Sequence, residues 1–137
     1  MRPIFASIVA LVTVLGPAQH VRAASVARVE LNALETAEDK CRAVFVTENQ
    51  SGAELSALKL DLVFFNAKGV VFQRFIADLA PITAGKTVVT NFIVNTACDQ
   101  IGSVLVNSVA ACAPIAAAEC LAGLQLSSRV NNVRFYL

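Results

Sequence analysis

Three successive runs between Ala57 and Asn95 alternate apolar with polar residues, and that alternation restricts the fold more than any other feature of the chain. A strand turns successive side chains to opposite faces, so a period of two marks one buried face and one wet face. In ALKLDLVFFN, Leu58, Leu60, Leu62 and Phe64 share a face, with Lys59 and Asp61 opposite. Val70–Leu79 follows with Arg74 and Asp78 on its wetter face. KTVVTNFIVN then sets Val88, Thr90, Phe92 and Val94 against Val89, Asn91 and Ile93. The links are short: NAKG, a tight reversal with Gly69 where a positive φ is needed, and APITAG, bounded by Pro81 and Gly85.

The pattern extends in both directions. Ala27–Leu34 alternates Val29 and Leu31 with Arg28, Glu30 and Asn32, and ETAEDK after it reads as a charged connection. Cys41–Asn49 turns Cys41, Ala43, Phe45 and Thr47 inward before the turn residues Asn49–Gly52. Ile101–Ala111 and Leu124–Phe135 complete seven strands, the last with a break at Asn131-Asn132. Between Cys112 and Cys120, APIAAAE suits a helical turn from Ile115 on. Seven strands with no long helix among them predict an all-β, antiparallel β-sandwich.

The residues ahead of the strands predict export. MRPIFASIVALVTVLGPAQHVRAA begins with a basic end at Arg2, runs apolar from Ile4 to Leu15 and breaks at Gly16-Pro17. It then places Val21 and Ala23 where a signal peptidase reads. Cleavage is expected after Ala23, leaving a signal peptide over 1–23 and one domain over 24–137. The apolar run is too short to cross about 30 Å of hydrocarbon as a helix, so no membrane insertion of the mature chain is expected. Cleavage removes the single histidine, His20, and takes Arg2 and Arg22 from 11 basic residues set against 10 acidic ones. The remaining body is near neutral and has no bulk charge to attract nucleic acid. Its expected location is the periplasm or the exterior.

That location governs the cysteines. An even number in an oxidising compartment favours disulfides, and Cys41, Cys98, Cys112 and Cys120 allow three pairings. Cys112 and Cys120 flank one short connection and read as a local clasp, which leaves Cys41–Cys98 as a long-range staple. In a seven-strand sandwich the second and sixth strands lie in opposite sheets with their starts at one end. Cys41 and Cys98 are expected to meet there, while the clasp closes the last hairpin at the other end. A zinc site needs closely spaced ligands such as C-x-x-C, and a catalytic thiol needs an imidazole. The mature sequence has neither, so no metal and no cofactor is expected.

Two resemblances follow from these residues. The run NQSGAELSALKLDLVFFNAKGVVFQRFIADLAPITAGKTVVTNFIV resembles exported immunoglobulin-like or fibronectin type III-like domains of bacterial envelopes, over roughly Ala43 to Val94. The features it shares are a strand ending in Asn, a Ser-Gly turn, a Phe-rich strand, a Gly hairpin and a Leu-x-Pro link. The resemblance implies a seven-stranded immunoglobulin-like sandwich and brings no catalytic residue, although the chain lacks the Trp that packs on the disulfide of antibody domains. The end of the chain, with Tyr136 penultimate and Gly123 some way before it, is similar to chaperone–usher pilus subunits. That likeness implies strand exchange through an alternating N-terminal segment such as Ser25–Leu34. Those subunits are longer and carry one Cys pair.

Residues able to do chemistry do not converge in the sequence. Glu35, Glu38 and Asp39 cluster, but on a charged connection beside Lys40. No nucleophile motif occurs, and the mature chain has no histidine to act as base. The expected function is therefore a binding or structural module of the bacterial cell envelope, without catalysis, whose partner is another envelope protein. Two features are candidates for contact. Val63, Phe65, Val89 and Ile93 are apolar residues on the outward rows of the third and fifth strands. Pro114 and Ile115 belong to the clasped loop, which a disulfide would preorganise for insertion into a groove, as in a small secreted protease inhibitor.

Overall fold

The computed structural model describes residues 16–137. Most of the predicted leader, 1–15, lies outside the described residues, and 16–24 are exposed without regular structure. Eight strands follow: β1 (Ala27–Ala37), β2 (Lys40–Asn49), β3 (Ala57–Asn66), β4 (Val71–Asp78), β5 (Thr87–Val94), β6 (Ile101–Ala113), β7 (Leu124–Ser128) and β8 (Arg134–Tyr136). A 3-10 turn, Cys98–Gln100, leads into β6, and a short helix, α1 (Ala117–Ala122), separates β6 from β7. The strands form two four-stranded sheets, ordered β5-β2-β1-β7 and β4-β3-β6-β8.

Two stacked sheets are what the alternation predicts, but strand number and direction differ from seven antiparallel strands. The expected last strand, Leu124–Phe135, is two strands in different sheets. β7 runs parallel to β1, and β8, beyond the Asn131-Asn132 break, runs parallel to β6. Both sheets are therefore mixed. The crossing is made at Asn132, whose φ of 64° suits Asn better than most residues. Period-two spacing records that a segment is extended, not which sheet it joins or in which direction. ETAEDK is also mostly strand: Ala37 pairs with Lys40, so Glu38 and Asp39 alone make the turn, with Glu38 at φ 57°. Charged residues are tolerated there because that hairpin end is exposed, and Arg42 Nη1 lies 3.4 Å from Glu35 Oε2.

The inward rows fill one core. Leu58, Leu60, Leu62 and Phe64 from β3 and Cys41, Ala43, Phe45 and Thr47 from β2 are all buried. Each large apolar side chain so removed from water contributes about 1.5–3 kcal/mol. Phe45 meets Phe135 edge-on at 5.4 Å and Phe75 meets Phe92 at 5.5 Å, contacts that join the two sheets. One buried polar residue orders the connections at the end of β2. The Asn49 amide donates to the carbonyls of Ala53 at 2.7 Å and Ile82 at 2.8 Å, and its oxygen accepts from the Ser51 N–H and hydroxyl. A fully partnered buried amide fixes a loop where an unpartnered one would open it.

The disulfides pair as expected. Cys41, at the start of β2, bonds Cys98 in the 3-10 turn, with 4.8 Å between Cα atoms, and links the two sheets at one end. Cys112, late in β6, bonds Cys120 in α1. β6 and β7 lie in different sheets, so this clasp braces a crossover between sheets and does not close a hairpin.

Candidate binding surface

Asp61 sits on the outward row of β3 yet is only 3% exposed. β3 is flanked by β4 and β6, and side chains from both neighbours close over it. Arg74 on β4 donates from Nε to Oδ1 at 2.8 Å and from Nη2 to Oδ2 at 2.6 Å, the two-pronged fit of a guanidinium to a carboxylate. On β6 a register shift places both Asn107 and Ser108 beside Asp61, and they donate to Oδ2 at 2.8 and 3.4 Å. The Arg74 hydrogen bonds hold the Asp61 carboxyl down to about 2 against the opposing effect of burial, with Asn107, the Arg74 charge and Ser108 adding to the depression. Asp61 is thus a fixed, ionised acceptor. On the same row, Lys59 Nζ lies 3.7 Å from Asp78 Oδ2, so this face carries an ordered set of charges.

β4 lies beyond this network at the edge of its sheet. Its pairing with β3 sets Leu60 opposite Ala77 and Asp61 opposite Ile76. Just past the strand, the Leu79 N–H donates to the Leu58 carbonyl at 2.9 Å. Antiparallel ladders alternate bonded and non-bonded pairs, so Ala77, Phe75 and Gln73 bond β3 while Asp78, Ile76 and Arg74 turn their N–H and C=O groups outward. Val71 and Ile76 on this strand are each about half exposed. Sheet edges are usually blunted with Pro, Lys or a covering loop. The β4 sequence VFQRFIAD has no Pro or Lys, and its one base, Arg74, is folded back over Asp61.

The sequence-predicted contact residues fall in three places. Val63 is 7% exposed and Phe65 is half-buried on β3, in the β4-β3-β6-β8 sheet. Val89 and Ile93 are exposed, on β5 in the other sheet. The four therefore lie on two opposite outer faces and do not form one patch. Gln73 is the link between the neighbouring edges: it accepts from the Asn95 N–H at 2.8 Å. In the clasped loop Pro114 is exposed, as are Ala116, Ala117 and Ala118 after it, while Ile115 is half-buried and packs on the core. Of the pilus-like features, Gly123 ends α1 and its carbonyl accepts from Val26 N–H at 2.9 Å, while Tyr136 on β8 lies under the Arg134 guanidinium at 4.6 Å.

The Asp61 network and the open β4 edge were not among the predicted sites. Asp61 and Arg74 each appeared only as a mark of a wet face, and their places on the outward rows of two consecutive strands were the available signal. A further concavity of about 650 Å³ lies at the Cys98 end, between the Asn66–Gly69 turn and the β7–β8 link. Gly102 is required beside it, since a Cβ there would come within 2.5 Å of the Asn66 carbonyl oxygen. Comparison with protein-family models, curated proteins and solved structures finds no match for this chain.

Proposed function

We propose that the protein is an exported, disulfide-braced β-sandwich of the immunoglobulin-like type that works in the bacterial cell envelope by binding, through the open edge of β4. The supporting observation is the state of that edge: outward-turned backbone groups at Arg74, Ile76 and Asp78, an exposed Ile76 among them, and neither Pro nor Lys along the strand. Such an edge takes an added strand from a partner, with main-chain bonds for affinity and side-chain rows for selectivity. The two disulfides hold the sheets in register at both ends, which suits a module that presents surface outside the cell.

This reading is favoured over strand exchange of the pilus kind. β1 lies between β2 and β7 and pairs with both, so the segment around Ser25–Leu34 is already engaged within its own chain. The test is capture from envelope extract by the immobilised, oxidised mature protein. Ile76→Lys is expected to abolish retention of the partner, while Val89→Lys on the opposite sheet leaves it intact. Retention that is indifferent to Ile76→Lys removes the β4 edge from the account.

A further inference from the structure

We infer that the open edge of β4 pairs antiparallel with the β4 of a second copy of this chain, about a two-fold axis through Ile76. The inference rests on the edge-binding reading above and names its occupant. Three observations carry it.

The first is length. Phe64 pairs with Gln73 but Phe65 pairs with Val71, so Phe72 is an extra residue in a bulge. A bulge bends and twists a strand, which limits the flat part of the edge to Gln73–Asp78. A symmetric pairing has to be centred near the middle of that stretch.

The second is charge. In an antiparallel pair, directly opposed residues share a face, so the outward row of one copy meets the outward row of the other. Centring on Arg74 opposes two arginines. Centring on Gln73 sets Arg74 against Phe72, and centring on Phe75 sets it against Ile76. Only the register centred on Ile76 sets Arg74 of each copy opposite Asp78 of the other. Within the chain Asp78 already pairs with Lys59, and Arg74 with Asp61. The joined face would then read Lys59, Asp78, Arg74, Asp61 across the boundary, alternating in sign, and the same sequence repeats in reverse through the axis.

The third is backbone direction. Arg74, Ile76 and Asp78 are the residues whose N–H and C=O groups turn away from β3, and in this register they are the ones opposed across the axis. Ile76, 50% exposed in the single chain, meets its own copy at the centre. The contact is a single pair of short strands, so the dimer is expected to be weak and reversible, as transient interfaces under about 1,200 Å² are.

The experiment is site-specific crosslinking of the folded, oxidised mature protein, with sedimentation velocity alongside. Residues facing each other in a hydrogen-bonded antiparallel pair have Cα atoms about 5.5 Å apart, inside the span a disulfide bridges. Ile76→Cys is therefore expected to form a covalent dimer under mild oxidation, and Phe72→Cys, also on the exposed edge, is not. In sedimentation, wild type is expected to show concentration-dependent dimer, Ile76→Lys to remain monomeric, and Asp78→Lys to weaken the dimer about tenfold through two new like-charge contacts. Crosslinking at Phe72→Cys in place of Ile76→Cys overturns the register. Wild type monomeric at all concentrations, with Ile76→Cys uncrosslinked, overturns the second copy as occupant, while Ile76-dependent capture from extract would still support the edge as a binding site.

Discussion

At the scale of single residues, the buried Asp61 carboxylate is the feature with the clearest thermodynamic signature. Its pKa is lowered from 3.8 to about 2 by the Arg74 hydrogen bonds above all. A carboxyl whose folded pKa lies below its unfolded value adds stability above the unfolded value, and that contribution is lost as pH falls through the folded one. The window here runs from about pH 4 down to about pH 2. The full shift corresponds to about 2 kcal/mol, reduced toward about 1 because the Arg74 side chain is 61% exposed and solvent screens the pair. Unfolding by urea at a series of pH values should show wild type losing that increment across the window, while Asp61→Asn, which has no charge to lose, has a shallower slope. Equal slopes in the two proteins would mean that the carboxylate is not held ionised by its neighbours.

At the scale of elements, the two disulfides brace opposite ends of the sandwich with unequal effect. A crosslink stabilises chiefly by restricting the unfolded chain, and more so for a longer loop. Cys41–Cys98 spans a separation of 57 residues and Cys112–Cys120 one of 8, which corresponds to about 4 and about 2.5 kcal/mol. The Cys41→Ala/Cys98→Ala double variant should therefore melt lower than Cys112→Ala/Cys120→Ala in calorimetry, and the reverse order would place the main restraint at the crossover. Both pairings were legible in the sequence because the long-range pair needs only the knowledge that the two strand starts share an end. The inward rows of β2 and β3 were legible for a related reason: with one face buried, period-two spacing fixes which side chains it takes. The assignment of β7 and β8 to different sheets was not, because nothing in Leu124–Phe135 encodes a parallel partner. The Asp61 network was hidden for a similar reason, since Asp61, Arg74, Asn107 and Ser108 converge only through the register of three strands and a shift in β6.

At the scale of the whole molecule, the end of the chain determines whether the sheets behave as one body. β7 completes the first sheet beside β1, and a few residues later β8 completes the second beside β6. One short segment therefore closes both sheets on the side away from β4 and β5, and its Phe135 reaches inward to meet Phe45 of the facing sheet edge-on. Removing that ring leaves a cavity between the sheets as well as losing its burial, a combination that costs about 3–5 kcal/mol in well-packed cores. Phe135→Ala should lower the midpoint of urea unfolding by that amount with an unchanged slope, since the surface exposed on unfolding is the same. Phe72→Ala should cost less than Phe135→Ala, because the Phe72 ring is 36% exposed at the bulge and meets the core through its edge-on contact with Phe64. Coincident transitions by fluorescence-independent probes of each sheet, such as hydrogen exchange at β2 and at β3, are expected in wild type and in Phe135→Ala alike. If β3 and its sheet opened first in Phe135→Ala while β2 stayed protected, the shared core would be two weakly coupled layers, and the β4 edge could not rely on the distant disulfides to keep it flat.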